Sequence, residues 1–428
     1  MSANTEKEIN IQPPGVSSIV RRNLPVSDEL ENSQLSPILK KIYANRGVTS
    51  LDQISYKLSD LTDYSLLKDI DLASTIVAQA IIKQKRSLVV GDFDADGATS
   101  CAVMLSSLRA FGLTNVEYLV PNRFDYGYGL SPEIVDFAAD VEAEFKPELI
   151  ITVDNGISSI AGVDRATELG IQVVVTDHHL AGNVLPAASA IVNPNQPGCE
   201  FPEKSIAGVG VAFYLMLAVR AVLRDSGWFD GTRQEPNMAK FLDLVALGTV
   251  ADVVPLDTTN RILVESGVQR IRRNKACVGI NALLTIAGKS IEQCSSQDFG
   301  FVIGPRLNAA GRLDDMSVGI ECLLSDDYSV ALQYATTLNQ MNIQRLEIEG
   351  EMLQQAMVLL AKQVSVLDDS DDLPDAMALY DEQWHQGVVG LLASRIKEKF
   401  HRPVIAFADA GNDEIKGSGR SIHGLHIR

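Results

Sequence analysis

The stretch SLVVGDFDADGATSCAVMLSSLRAFG (Ser87–Gly112) decides the fold class, because a short β-branched run is followed at once by a helical pattern of apolar residues. The same alternation continues downstream. Further strand candidates are VEYLVP (116–121), PELIITVD (147–154), IQVVVTD (171–177) and ASAIVNP (188–194), and SSIAGVDRATELG (158–170) predicts a helix. Strands that alternate with helices and are almost continuously apolar are typical of a parallel sheet covered on both faces. We therefore predict an α/β fold with a parallel sheet and helices on both faces.

The rest of the chain divides around this region. Residues 1–80 predict a helical N-terminal segment, and residues 81–325 hold the parallel-sheet domain. A long helical pattern over 326–366 predicts a connector helix, followed by an acidic loop at LDDSDDLPD (367–375). AMALYDE, VVGLLASRIKEKF and PVIAFAD then predict a short second α/β domain over 374–428.

Composition limits the class of protein. The 428 residues suit two to three domains, and 46% hydrophobic with 21% charged residues indicate a soluble globular protein. The polar N-terminus lacks an apolar signal core, and no apolar run reaches the roughly 20 residues needed to span a membrane. The five cysteines are odd in number and none forms a C-x-x-C pair, which argues against structural zinc or disulfides. We expect a cytoplasmic protein.

The formal net charge of −18 argues against broad, non-specific binding to duplex DNA. It does not exclude a nucleic-acid enzyme, because carboxylates can hold divalent metals and a local groove can still be basic. NRILVESGVQRIRRNK (260–275) is locally basic, and a solvated helix face is the interpretation we favour for it.

Acidic residues and histidines follow three of the predicted strands. VVGDFDADG ends the first with Asp92, Asp94 and Asp96, ITVDNG ends the third with Asp154, and VVTDHH ends the fourth with Asp177, His178 and His179. Ligands of open α/β sheets bind at the carboxyl ends of the strands. The three strand ends are therefore expected to converge on one crevice.

The chemistry of these side chains predicts a metal site. Carboxylates placed close together repel one another and each needs a cation or a proton. Asp oxygen with His nitrogen, and no Cys, suits Mn²⁺ or Mg²⁺. Two ions about 4 Å apart, bridged by one Asp, favour in-line hydrolysis at phosphorus, and Asp252 in LVALGTVADVVPL is a further candidate ligand.

Each motif alone also has a plain structural explanation. D-x-D-x-D-G resembles part of a calcium loop, the Asp154 segment a turn, Asp177 a helix cap and His178 a hydrogen-bonded core histidine. Their joint occurrence at three strand ends favours the metal site.

Taken in order and spacing, VVGDFDADG, VDNG, TDHH and GTVADVVPL resemble the four motifs of the DHH phosphoesterase superfamily. Further segments resemble its branch of bacterial single-strand-specific exonucleases. These are PNRFDYGYGL (121–130), AGVGVAFYL (207–215) as the loop after the fifth strand, GPRLNAAGRLDD (304–315), and WHQGVVGLLASRIKEKFHRPVIAF (384–407) with GSGRS (417–421) at the start of the DHH-associated domain. The resemblance covers roughly residues 40–428.

The resemblance implies a role for each matching position. Metal ligands are Asp94, Asp96, Asp154, His178 and Asp252, with Asp154 as the bridge and Asp92 in the same cluster. His179 faces the substrate phosphate and Arg306 lies near the scissile phosphate, so Asp154, His179 and Arg306 form the catalytic set. Asn308 and Arg312 flank Arg306 and contact the substrate or hold that loop. A pocket for the 5′ end comprises Arg123, Ser418 and Arg420, and the glycines of GSGRS allow backbone N–H groups to approach a phosphate. For Tyr126 and Tyr128 we favour packing over base stacking.

The resemblance also implies the activity. It predicts an exonuclease of repair and recombination that uses two Mn²⁺ or Mg²⁺ ions, degrades single-stranded DNA 5′→3′ and releases 5′-mononucleotides. A single-strand-binding protein and a repair helicase are expected partners of the monomer. Two alternatives stay open: another DHH phosphodiesterase acting on short oligonucleotides or cyclic dinucleotides, and a non-catalytic DHH scaffold. Members of the branch continue into an oligonucleotide-binding barrel, so we expect a truncated product or fragment with an incomplete associated domain.

Overall fold

The computed structural model describes residues 22–122, 129–140, 145–366, 374–411, 413–425 and 427. These form two compact units. The first unit spans residues 48–342, and the second combines the described residues before Val48 with those from Ile343 onward.

The helices, in chain order, are α1 (Asp28–Glu31), α2 (Pro37–Ala44), α3 (Ile70–Ile82), α4 (Ala95–Ala110), α5 (Pro132–Ala138), α6 (Ile160–Glu168), α7 (Gly208–Asp225), α8 (Leu242–Ala251), α9 (Thr258–Arg272), α10 (Val278–Ile286), α11 (Ser296–Asp298), α12 (Gly304–Leu313), α13 (Ser317–Leu324), α14 (Tyr328–Val366) and α15 (Val389–Phe400). Short 3₁₀ turns lie at Asp52–Ile54, Leu58–Asp60, Tyr64–Leu66 and Met238–Phe241, and a π-helical turn at Phe299–Ile303 joins α11 to α12.

The first unit is built on a parallel five-stranded sheet, with strand order β2-β1-β3-β4-β5. Its strands are β1 (Ser87–Gly91), β2 (Val116–Leu119), β3 (Leu149–Val153), β4 (Gln172–Thr176) and β5 (Ala190–Val192). Side chains of one strand alternate between two apolar cores: Val89 belongs to the core that holds α3, α4 and α7, and Val90 to the core that holds α5 and α6. The predicted parallel sheet with helices on both faces is confirmed.

The strand order places the three chemically rich strand ends side by side. β3 lies between β1 and β4, with Gly91 paired to Val153 and Val153 paired to Thr176. Asp92, Asp154 and Asp177 are the next residue of each strand, so the three aspartates leave the same edge of the sheet.

The apolar pattern from Gly208 onward predicts helices, and the structure has α7 there with Ala207 as its N-cap, so only the comparison of AGVGVAFYL with a loop is wrong. A second segment expected to be a loop is also helical. GPRLNAAGRLDD forms α12 and its exit. Pro305 is compatible with this helix because it lies in the first turn, where a backbone N–H has no helical partner.

The second unit contains a three-stranded sheet of β6 (Met377–Asp381), β7 (Val404–Gly411) and β8 (Glu414–Arg420). β6 is parallel and β8 antiparallel to β7, and α15 packs on the sheet. GSGRS lies largely in β8, and a Cβ on Gly417 would come within 2.5 Å of the Phe407 ring. Packing on Phe407 therefore requires glycine at this position, and the approach of its backbone to a phosphate stays a prediction.

The long helix predicted over 326–366 is confirmed as α14, which has 39 residues. The four-part domain division stays a prediction.

Candidate metal centre

The carboxyl edge of the first unit's sheet collects three overlapping groups of possible metal ligands. One ligand atom from each residue lies within 4.8 Å of the others in the groups Asp154–His178–His179, Asp96–His178–Asp252 and Asp92–Asp94–Asp154. The six predicted metal ligands thus lie together, with Asp154 and His178 each shared by two groups.

Asp154 is held in an unusual backbone conformation. Its φ of 62° is in the left-handed region, and its N–H donates to Thr176 O at 3.0 Å. The following Asn155 is fully buried and donates from Nδ2 to Val90 O and Val153 O, which ties the ends of β1 and β3 together. A Cβ on Gly208 would lie 2.4 Å from Asp154 Oδ1, so this carboxylate occupies space that only glycine leaves open.

Two helix N-termini bind the carboxylates of the first acidic motif. Asp94 is the N-cap of α4, and its Oδ1 accepts from the N–H groups of Asp96 and Gly97. Asp96 accepts from Gly208 N at 2.7 Å and Val209 N at 3.0 Å, at the start of α7. The positive ends of the helix dipoles stabilise both negative groups.

His178 directs its ring into the carboxylates. Its Nε2 lies 3.2 Å from Asp154 Oδ1, 3.5 Å from Asp252 Oδ2 and 3.9 Å from Asp96 Oδ2. Among the described residues, the buried His178 Nε2 and Asp252 Oδ2 have no hydrogen-bond partner. Unpaired buried acceptors of this kind fit a bound cation.

Asp177 orients His179 instead of the His178 ring. Its Oδ1 accepts from both His178 N and His179 N and lies 2.8 Å from His179 Nδ1. The His178 side chain is 12% exposed and that of His179 is 45% exposed. The neighbouring imidazoles therefore have separate surroundings, one among carboxylates and the other facing outward.

Burial of the candidate metal centre shifts the pKa values of its side chains toward their neutral forms. Burial, followed by repulsion from Asp94, raises the pKa of Asp92 to about 8 and that of Asp252 to about 7. Burial and neighbouring carboxylates also hold the pKa values of Asp96 and Asp154 well above their usual range. Burial lowers the pKa of His178 to about 4, which keeps it neutral and able to ligate. Hard divalent cations satisfy this donor set.

Helix α12 supports the acidic motif. Asn308 Oδ1 accepts from Ala95 N at 2.8 Å, and a Cβ on Gly311 would lie 1.7 Å from Phe93 O. Asn308 therefore contacts the segment that carries Asp94 and Asp96. Arg312 lies in the last turn of the same helix.

Arg306 is part of the same helix. Its guanidinium donates from Nη1 to Val302 O at 2.7 Å and from Nε to Asn339 Oδ1 at 3.1 Å, and burial lowers its pKa.

The predicted pocket for the 5′ end is only partly described. Arg123 lies outside the described residues, as do Tyr126 and Tyr128. In the second unit, Arg420 donates to Ser418 Oγ at 2.9 Å and to Ser394 Oγ at 3.0 Å. The pocket stays a prediction.

The sequence reasoning missed the residues that hold the histidine motif. Asn193 donates to His179 O at 3.0 Å, and Asn195 donates to His178 O at 2.6 Å. Asn155 and Gly208 were missed as well. An available signal was the pair of asparagines at the end of the predicted fifth strand, at the same edge as the acidic residues.

A parallel sheet whose adjacent strand ends carry this cluster of aspartates and histidines defines a phosphoesterase of the DHH class. The chain matches the DHH family, N-terminal domain, over residues 86–249 and the DHHA1 domain over residues 373–428. It is 55% identical over 409 residues to the single-stranded-DNA-specific exonuclease RecJ of Salmonella typhimurium, covering 95% of this chain and 70% of that protein. The chain belongs to the RecJ family.

Solved structures agree with this assignment. RecJ bound to manganese superimposes with a TM-score of 0.70 at 32% identity, and the match covers 84% of each chain. RecJ of Thermus thermophilus in complex with Mg²⁺ has a TM-score of 0.68 at 28% identity, covering 94% of this chain and 53% of that one. Within the part of the chain that the structure describes, no helix combines the length and apolarity needed to cross a membrane.

Proposed function

We propose that this chain is a metal-dependent exonuclease that hydrolyses single-stranded DNA in the 5′→3′ direction and releases 5′-mononucleotides. The observation that carries the proposal is the set of three overlapping ligand groups at adjacent strand ends. The 55% identity to a single-stranded-DNA-specific exonuclease supports the substrate class.

The donor groups suit two divalent cations. Asp92 and Asp94 would hold one, and Asp96, His178 and Asp252 the other. Asp154 would bridge them, because it shares a group with Asp92 and Asp94 and its Oδ1 lies 3.2 Å from His178 Nε2. Manganese and magnesium are the ions bound in solved RecJ structures. When bound, two such ions neutralise charge on the phosphate and make a water acidic enough to serve as nucleophile near neutral pH.

His179 and Arg306 would stabilise the phosphate during the reaction. Asp177 raises the pKa of His179, because its Oδ1 accepts the Nδ1 proton and favours the charged ring. The positive charge of the ring would stabilise a non-bridging phosphate oxygen. The planar guanidinium of Arg306 offers a fork of donors for the same oxygens.

In the second unit, we propose that Ser418 and Arg420 bind the phosphate at the 5′ end of the strand. A guanidinium suits a terminal phosphate, and the hydrogen bond from Arg420 to Ser418 fixes its orientation. Arg312 would act nearer the cleaved bond, on the helix that carries Arg306, and Asn308 would hold the acidic loop through its bond to Ala95 N.

The direct test uses a 5′-phosphorylated single strand with Mn²⁺ and measures mononucleotide release. Asp154→Ala is expected to abolish release while unfolding stays cooperative, and Asp164→Ala, an exposed aspartate on α6, is the matched control. Separate labels at the 5′ and 3′ ends report the direction. Retained activity in Asp154→Ala would overturn the two-ion site, and early loss of the 3′ label would overturn the polarity.

For its cellular setting, we propose that the chain acts as a monomer in the cytoplasm, in DNA repair and recombination. A single-strand-binding protein and a repair helicase would supply its substrate. Sedimentation should give a mass near 46.4 kDa. Faster hydrolysis of a strand coated with single-strand-binding protein than of a bare, hairpin-forming strand would support the first partner.

A further inference from the structure

An exposed phenylalanine lies on a turn that packs against the end of α8, and the chemistry described above gives it no role. In the π-helical turn Phe299–Ile303, Phe299 and Ile303 are fully buried, whereas Phe301 is 82% exposed. A ring that stays in solvent buries little apolar surface, and π-helical turns occur frequently at functional sites.

The turn is fixed against the end of α8, next to the metal ligand Asp252. A Cβ on Gly300 would lie 3.6 Å from the Val250 side chain, and one on Gly304 would lie 3.3 Å from Ala251 Cβ. Asp252 directly follows Ala251, and its Oδ2 lies 3.5 Å from His178 Nε2. The two glycines therefore bring the turn into contact with the helix that ends at the metal centre.

The same turn anchors the proposed phosphate-binding arginine. Arg306 donates from Nη1 to Val302 O, the residue next to Phe301. Val253, which follows Asp252, adds a second apolar group with 84% exposure. A cationic group for a phosphate is thus tied to the turn that carries an exposed aromatic ring for a base.

We propose that Phe301 is a stacking platform for a base of the single strand as it enters the metal centre. The proposal rests on the proposed function, because it assumes that a single strand is the substrate. Stacking on an aromatic ring accepts every base, since each base has a π-face. This property suits an enzyme that must remove each nucleotide in turn.

The test compares Phe301→Ala with Phe137→Ala, which removes a phenylalanine that is 60% exposed on α5 of the same unit. On a 5′-phosphorylated thymidine strand with Mn²⁺, Phe301→Ala should raise KM by about tenfold and leave Mn²⁺ affinity unchanged. Phe301→Trp should keep KM within about twofold, as should Phe137→Ala. On a strand with abasic nucleotides near its 5′ end, wild type and Phe301→Ala should become equal.

Unchanged KM in Phe301→Ala would overturn the proposal, and so would a loss that persists undiminished on the abasic strand. A wild-type chain that releases no nucleotide would contradict the proposed function instead. In that case the same comparisons of variant and abasic strand, made by fluorescence anisotropy of strand binding, still decide whether Phe301 stacks on a base.

Discussion

His178 and His179 are neighbours in the chain, yet their replacement by alanine is expected to have different effects on Mn²⁺ affinity and on turnover. His178→Ala removes a ring whose Nε2 lies among three carboxylates, so Mn²⁺ affinity should fall by more than about tenfold. His179→Ala should leave Mn²⁺ affinity nearly unchanged and lower kcat by about 100-fold, because the ring stabilises negative charge on the phosphate during the reaction. Calorimetric Mn²⁺ titration and turnover at saturating Mn²⁺ measure the two effects.

Equal losses of Mn²⁺ affinity in the two variants would contradict this division. It would mean that His179 also ligates, which the group Asp154–His178–His179 allows geometrically. The hydrogen bond of His179 Nδ1 to Asp177 favours the division, since it occupies one of the two ring nitrogens.

Gly208 is expected to be essential although it has no side chain. In Gly208→Ala the new Cβ would lie 2.4 Å from Asp154 Oδ1, so the carboxylate must move and Mn²⁺ affinity should fall several-fold. Gly350→Ala is the control, because this glycine also lies in a helix but has nothing within 4 Å of the added Cβ. The control should keep Mn²⁺ affinity and gain about 0.5–1 kcal/mol of stability. Calorimetric Mn²⁺ titration and thermal unfolding of both variants check this, and unchanged affinity in Gly208→Ala would contradict it.

Helix α12 is expected to act through the acidic motif that it contacts. Asn308→Ala leaves Ala95 N–H without its acceptor, which costs about 1–3 kcal/mol and loosens the loop between Asp94 and Asp96. The Mn²⁺ concentration for half-maximal activity should therefore rise, whereas KM for the strand at saturating Mn²⁺ should not change. Asn308→Asp keeps an acceptor and should recover most of the affinity.

Asn281→Ala on α10 provides the control for the loss of a helical asparagine away from this loop. If Asn308→Ala instead raised KM for the strand at saturating Mn²⁺, direct substrate contact would be the better explanation of this residue.

The sequence predicted the parts of the fold and site that depend on local pattern. Continuous apolar strands gave the parallel sheet, and the acidic residues after them gave the cluster, because parallel strand ends share one edge. Helix α12 was missed as a helix because glycine and proline disfavour helices on average, and here Pro305 sits in a tolerated first-turn position. Asn193 and Asn195 were missed because their role is to hold the carbonyls of His178 and His179, a contact that no periodicity reveals.

The net charge of the whole chain depends on the aspartates that are buried together at the candidate metal centre. The formal net charge of −18 counts every aspartate as ionised, but ionisation of Asp92 or Asp154 is unfavourable while they are buried among other carboxylates. A bound cation should make that ionisation favourable, so stability, metal binding and pH are expected to be linked.

We predict that the metal-free chain loses stability as the pH rises toward about 8. Asp92 and Asp252 have folded-state pKa values of about 8 and about 7, above the ordinary 3.8, so the folded chain binds more protons than the unfolded chain between these values. The contribution of these groups to the free energy of unfolding is therefore fully present below about pH 4 and is lost as the pH rises through their folded-state pKa values. Mn²⁺ replaces the protons, so its increase of Tm should be larger at pH 8 than at pH 6. Asp92→Asn removes one group with a raised pKa, so the metal-free Tm should depend less on pH than in the unmodified chain. This variant separates the effect of Asp92 from that of Asp177, whose pKa is lowered and which it leaves in place. Thermal unfolding of both proteins across this range, with and without Mn²⁺, measures the linkage, and a Mn²⁺ effect on Tm that is equal at pH 6 and pH 8 would show that protons do not compete for the site.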